Sequence, residues 1–116
     1  MKFSSKVKEG IAIESVHISR ATYNYAQEFK DILDQRINDG KLNIVVCLKG
    51  CKYMDSTFLG TLVSAARKLK QSGRSLKISD LHSETLILFE ITGMMRIFEI
   101  YKNIDEAVAS YTLLVD

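Results

Sequence analysis

The chain has 116 residues, 47% of them hydrophobic and 26% charged, with 16 basic against 14 acidic side chains for a net charge of +2. That mixture excludes disordered and fibrous classes and predicts one domain over residues 1–116, with about two-thirds of its surface buried in a single core. So even a charge balance argues against dedicated nucleic-acid binding, and the longest uncharged apolar run, Ile44-Val45-Val46-Cys47-Leu48, is far shorter than the ~20 residues of a membrane helix.

Residues 3–7 and 11–18 read as two strands around a hairpin loop, Lys8-Glu9-Gly10. Ile11 and Ile13 alternate, then the apolar positions shift to Val16 and Ile18; a bulge or a strand end near Ser15 is expected. From Tyr25 the period becomes helical, through Phe29, Ile32, Leu33 and Ile37, with Asn24 as N-cap and Asn38-Asp39-Gly40 as the stop. Residues 42–48 form a strand apolar on both faces. After Lys49-Gly50-Cys51, a second helical stripe runs through Phe58, Leu59, Leu62, Val63, Ala66 and Leu69 to Ser72-Gly73.

Residues 76–78 give a short strand. Ser83 caps a brief helix through Leu86, Phe89 and Ile91, stopped by Gly93. Residues 97–101 form the last strand and residues 105–114 the last helix, with Ala107, Val108 and Tyr111 inward. Strands alternating with helices predict a small α/β sandwich, its sheet mostly parallel behind an N-terminal hairpin, with about four helices.

The common catalytic and nucleotide-binding signatures are absent, and His17 and His82 stand isolated. Cys47 and Cys51 form a C-x3-C that fits neither a zinc knuckle nor a redox pair, so Cys47 reads as an inert core thiol. No cofactor or metal is implied. The basic run Arg67, Lys68, Lys70, Arg74 and Lys77 reads as a solvated helix end, because no aromatic residues interleave with it to stack on bases. The N-terminus lacks an apolar stretch, so a cytoplasmic setting is expected.

One constellation stands apart: Tyr53-Met54-Asp55-Ser56-Thr57-Phe58-Leu59-Gly60, on the turn between a buried strand and a helix. Asp55 or Ser56 caps the helix. Capping needs only one such group, and three stand together where ligands and partners usually meet an α/β sheet. A hydroxyl at a helix N-terminus suits phosphorylation, since that end favours an anion. Ser56 is the candidate acceptor. Phe58 is open to two readings, a core residue or an exposed apolar anchor beside Ser56.

These residues resemble the signature of bacterial anti-sigma factor antagonists, the STAS-domain family, whose motif reads Asp-Ser-Ser/Thr, then glycine or a bulkier residue, then Leu-Gly. Residues 42–48 are similar to the strand before that motif and residues 73–78 to a later helix-to-strand segment. Leu88-Phe89-Glu90-Ile91-Thr92-Gly93-Met94 resembles the family's Leu-Phe-x-x-x-Gly-Leu. Residues 97–108 are similar to its closing strand and helix, so the resemblance covers residues 42–110.

It implies a partner-switching cycle. The unphosphorylated protein binds a GHKL-type anti-sigma factor that is also a serine kinase, and so frees a sigma factor. The kinase phosphorylates Ser56 with ATP, the complex dissociates, and a PP2C-type phosphatase resets it. The protein is then substrate and regulator, not an enzyme, and Asp55, Thr57, Phe58 and Leu59 shape the surface the kinase reads. One segment departs from the family: Ser19-Arg20-Ala21-Thr22 replaces Gly-Glu-Leu/Ile-Asp, losing two acidic groups and gaining a positive one. The departure bears on partner identity. The rival reading is a constitutive STAS scaffold subunit, in a signalling assembly or a lipid-transport complex, with Ser56 only capping. A small enzyme or nucleotide-binding protein using the same turn is a further one, against which stands the lack of a base near Ser56 in sequence.

Overall fold

The computed structural model describes residues 1–40 and 42–112. In chain order it has β1 (Phe3–Lys8), β2 (Ile11–Val16), β3 (Arg20–Ala21), α1 (Tyr23–Asn38), β4 (Asn43–Cys47), β5 (Tyr53–Met54) and α2 (Ser56–Gln71). There follow β6 (Leu76–Ser79), α3 (Ser83–Ile91), a 3-10 turn (Met94–Arg96), β7 (Ile100–Tyr101) and α4 (Ile104–Thr112). The main sheet has the order β1-β2-β4-β6-β7. Its strands are parallel except for β1, the outer arm of the hairpin. This is the α/β sandwich expected from the alternation of periods.

The hairpin loop is two residues long, because Lys8 pairs with Ile11. Glu9 and Gly10 both have left-handed backbones, φ 52° and 78°, the geometry whose twist matches the flanking strands. Pairing continues unbroken to Phe3 opposite Val16, so the apolar shift in β2 marks a strand end and not a bulge. Both faces of β2 are covered. Ala12 and Val16 pack with α1 and α2, whereas Ile11 and Ile13 meet Ala107 and Val108 of α4.

Three phenylalanines run through the larger layer: Phe3 stacks on Phe29 at 4.9 Å between ring centres, and Phe29 on Phe58 at 5.3 Å. Stacked aromatic pairs of this kind hold helix positions as well as burying area. Glu14 of β2 is buried as well, accepting hydrogen bonds from Ser5 Oγ and, at 3.0 Å, from Arg36 Nε of α1. Burial raises its carboxyl pKa above the ordinary value, with Ser5 and Arg36 acting against that rise.

Local differences from the expected elements have local causes. Helix α1 begins at Tyr23 with Thr22, not Asn24, at its N-cap, and the Thr22 side chain makes no capping bond. Helix α3 has His82 at its N-cap, while Ser83 Oγ turns to Glu84. Of the helix residues Leu86, Phe89 and Ile91, Phe89 is buried and Ile91 is 78% exposed. Residues 97–99 are not strand: Gly93 (φ 75°) starts a 3-10 turn, and Phe98 folds inward beside Phe89, 5.8 Å between ring centres. Residues 113 and 114 of the expected last helix lie outside the described residues.

Candidate functional site

Between the end of β4 and the start of α2 the chain is pinned on several sides. Gly50 passes so close to β2 that a Cβ there would lie 2.8 Å from the Val16 carbonyl oxygen. The next residues form a second, two-stranded sheet: β5 pairs parallel with β3, Arg20 opposite Tyr53 and Ala21 opposite Met54. Lys52 N and Tyr53 N both donate to the Ser19 carbonyl, at 2.9 and 2.8 Å. Thr85 Oγ1 of α3 donates to the Lys52 carbonyl at 2.8 Å. Cys51 is buried, and desolvation pushes its thiol up to about 11, far from a reactive thiolate. Cys47 is also buried and its thiol is raised for the same reason.

Asp55 ends this segment and does two jobs. Its Oδ1 accepts from Phe58 N at 2.9 Å, the capping bond of α2. Its Oδ2 accepts from Tyr23 N at 2.8 Å, in the first turn of α1. One carboxylate thus satisfies free N–H groups at the starts of two helices, and explains why Thr22 caps nothing with its own side chain.

Ser56 is the first residue of α2 and is exposed, as is Thr57; Asp55 is half-buried. Phe58 is 0% and Leu59 3% exposed. For Phe58 the core reading therefore holds, through its stack on Phe29. Phe58 and Leu59, expected to shape a surface read by a partner, turn inward at the third and fourth positions of the helix, and Leu59 still lines the groove beside Ser56. Ser56 opens onto a groove of about 460 Å³, bordered on α2 by Gly60, Ser64 and Arg67 and on the far side by Thr92 and Met94. The first-turn N–H groups and the helix dipole make this end of α2 favourable for an anion.

The Ser19–Thr22 segment lies beside the same turn. The Arg20 guanidinium sits over the Tyr53 ring, 4.6 Å from its centre, and Lys52 Nζ stands 5.7 Å from it. This cationic and aromatic cluster on the strand pair before α2 was not legible in the sequence, since β3 and β5 are two residues each and lie far apart in the chain.

The basic run is divided: Arg67, Lys70 and Arg74 border one groove, while Lys68 and Lys77 turn elsewhere. Lys68 pairs with Asp34 at 2.8 Å, Arg74 donates to the carbonyls of Ile37 and Leu42, and Lys77 is buried against the Tyr111 ring on the α4 side. The His82 ring contacts the Lys49 carbonyl and the His17 ring contacts Ser4 Oγ. Among the described residues no group of three His, Cys, Asp or Glu side chains is placed to hold a metal, and no helix is long and apolar enough to cross a membrane.

Comparison with known proteins places these features. An anti-sigma-B factor antagonist of Bacillus subtilis is 44% identical over 55 residues, 47% of this chain and 50% of that protein. One of Staphylococcus aureus is 37% identical over 67 residues, 58% of this chain and 62% of that protein. The chain thus matches about half to three-fifths of these relatives' length. The fold matches the anti-sigma factor antagonist SpoIIAA in its unphosphorylated form with a TM-score of 0.83 at 13% identity, covering 98% of this chain and 99% of that one. SpoIIAA in its phosphorylated form matches with a TM-score of 0.73 at 14% identity, covering 94% and 98%. The STAS domain family model matches residues 6–107, from the first strand into the last helix. With that span, and with a parallel sheet leading into an Asp-Ser-Thr helix start, the chain belongs to the STAS domain family.

Proposed function

We propose that the domain is a phosphorylation-switched binding module, an anti-sigma factor antagonist with Ser56 as its acceptor. In the unphosphorylated form it binds an anti-sigma factor that is also a GHKL-type serine kinase. The Ser56 hydroxyl oxygen attacks the γ-phosphorus of ATP held by that kinase. Its proton passes to a base of the kinase, the bond to the β-phosphate oxygen breaks, and ADP leaves. A PP2C-type phosphatase removes the phosphate with water and restores the hydroxyl. The domain is the substrate throughout and supplies no catalytic group.

The observation that carries this reading is the exposed Ser56 at the first position of α2, on a turn held still by its neighbours. A fixed, accessible hydroxyl presents a kinase with little ordering to do. The modification adds about −1.5 to −2 charges beside the Asp55 carboxylate. A partner resting on this turn must then desolvate that charge, which weakens the complex. The named roles of the relatives support the reading, as does the existence of SpoIIAA in both phosphorylation states.

The test is incubation with the cognate serine kinase and ATP, followed by peptide mass spectrometry. One phosphate on Ser56 is expected, with labelling abolished in Ser56→Ala. Full labelling of Ser56→Ala would overturn the assignment.

A further inference from the structure

Gly60 is an exposed position between buried neighbours on α2, in the interior of a helix of 16 residues. Glycine is the poorest helix former after proline, so it is disfavoured at such a place unless something requires it. Nothing inside the domain does. Its backbone is not left-handed, and a Cβ built there meets no atom within 4 Å. By contrast Gly50 is needed by its neighbours and Gly93 by its backbone angle.

The position of Gly60 along α2 supplies a requirement from outside. Helical side chains lean toward the N-terminus and cover the turn before their own. The residues able to overhang Ser56 are those three and four positions on, Leu59 and Gly60. Leu59 is turned into the core at 3% exposure. Gly60 has no side chain, and both Gly60 and Ser56 border the groove that ends against Thr92 and Met94. The space over the acceptor hydroxyl is therefore kept clear on the one side from which α2 itself could close it.

We infer that Gly60 is a specificity-determining position for phosphorylation of Ser56: its bare backbone is where the serine kinase presses against α2 to bring the γ-phosphate of ATP to the hydroxyl. The inference rests on the reading of Ser56 as the acceptor. The free domain does not need the space, so a small side chain at 60 leaves the fold intact, and only a second molecule meets it.

The experiment compares wild type, Gly60→Ala and Gly60→Gln in thermal melts and in single-turnover phosphorylation by the cognate kinase with ATP. Gly60→Ala is expected to raise the melting temperature by about 2–5 °C, as helix propensity predicts. Its phosphorylation rate should nevertheless fall several-fold, and that of Gly60→Gln at least about thirtyfold, with Ser56 still the labelled residue. A structural role would move both readouts down together. Wild-type rates in a folded Gly60→Gln would overturn the inference while leaving Ser56 as acceptor. Absence of Ser56 labelling in wild type would remove both.

Discussion

Asp55 shows how much one side chain can do and how little of that is visible locally. The sequence leaves the cap of α2 to either Asp55 or Ser56, and the structure gives it to Asp55 through Phe58 N. Its second bond, to Tyr23 N, joins residues 32 positions apart, and no local pattern announces it. The Asn24 expectation for α1 failed for that reason: the acceptor comes from another turn. Each capping bond contributes about 1 kcal/mol. Asp55→Ala is therefore expected to lower stability by about 2–3 kcal/mol in urea denaturation, and Asp55→Asn, with one acceptor oxygen in place of two, by about half as much. Equal, small losses in both variants would show that the two bonds do not add. Phe58 makes the opposite point: an aromatic residue in the first turn of a helix could face either way, and only the Phe29 ring beneath it decides.

At the scale of elements, long periodic segments were readable and short ones were not. The apolar stripes of α1 and α2 placed Phe29, Leu33, Leu62 and Leu69 in the core, where they are found. Strands β3 and β5 have two residues each and no period to detect. The contact between α1 and α2 includes an ion cluster that stripes do not report: Asp34 accepts from Lys30 at 2.7 Å and from Lys68 at 2.8 Å. Hydrogen bonds from Lys30 and Lys68 hold its carboxyl below the usual range. A carboxylate whose pKa is lower in the folded than in the unfolded state adds stability above the unfolded value, and loses it as the pH falls through the folded one. Asp34→Asn should thus cost about 0.5–1 kcal/mol near neutral pH, within the range of half-exposed pairs, and the deficit should shrink as the pH is lowered below about 4. Urea curves at both pH values check this, and a constant deficit would assign the loss to packing.

For the whole molecule, the order of strands and helices was enough to name the architecture, because parallel strands alternating with helices leave few topologies open. What crosses the molecule was not. The stack Phe3–Phe29–Phe58 links the hairpin to the start of α2, so the Asp55–Ser56 turn is fixed by the body of the fold and not by its own few residues. A charge added at Ser56 meets a favourable helix end. Ser56→Asp is accordingly expected to keep the melting temperature within about 4 °C of wild type while weakening binding to the anti-sigma kinase at least about tenfold. Calorimetric titration and thermal melts measure the two effects separately; unchanged affinity would count against the switch.

The small β3–β5 sheet carries one more consequence. Arg20 and Tyr53, 33 positions apart in the chain, meet on the strand pair that leads into the Asp55–Ser56 turn. Any molecule that recognises this corner reads a discontinuous epitope assembled by folding. The Asp-Ser-Thr letters alone, cut out as a linear peptide, would carry neither the arginine nor the rigid presentation.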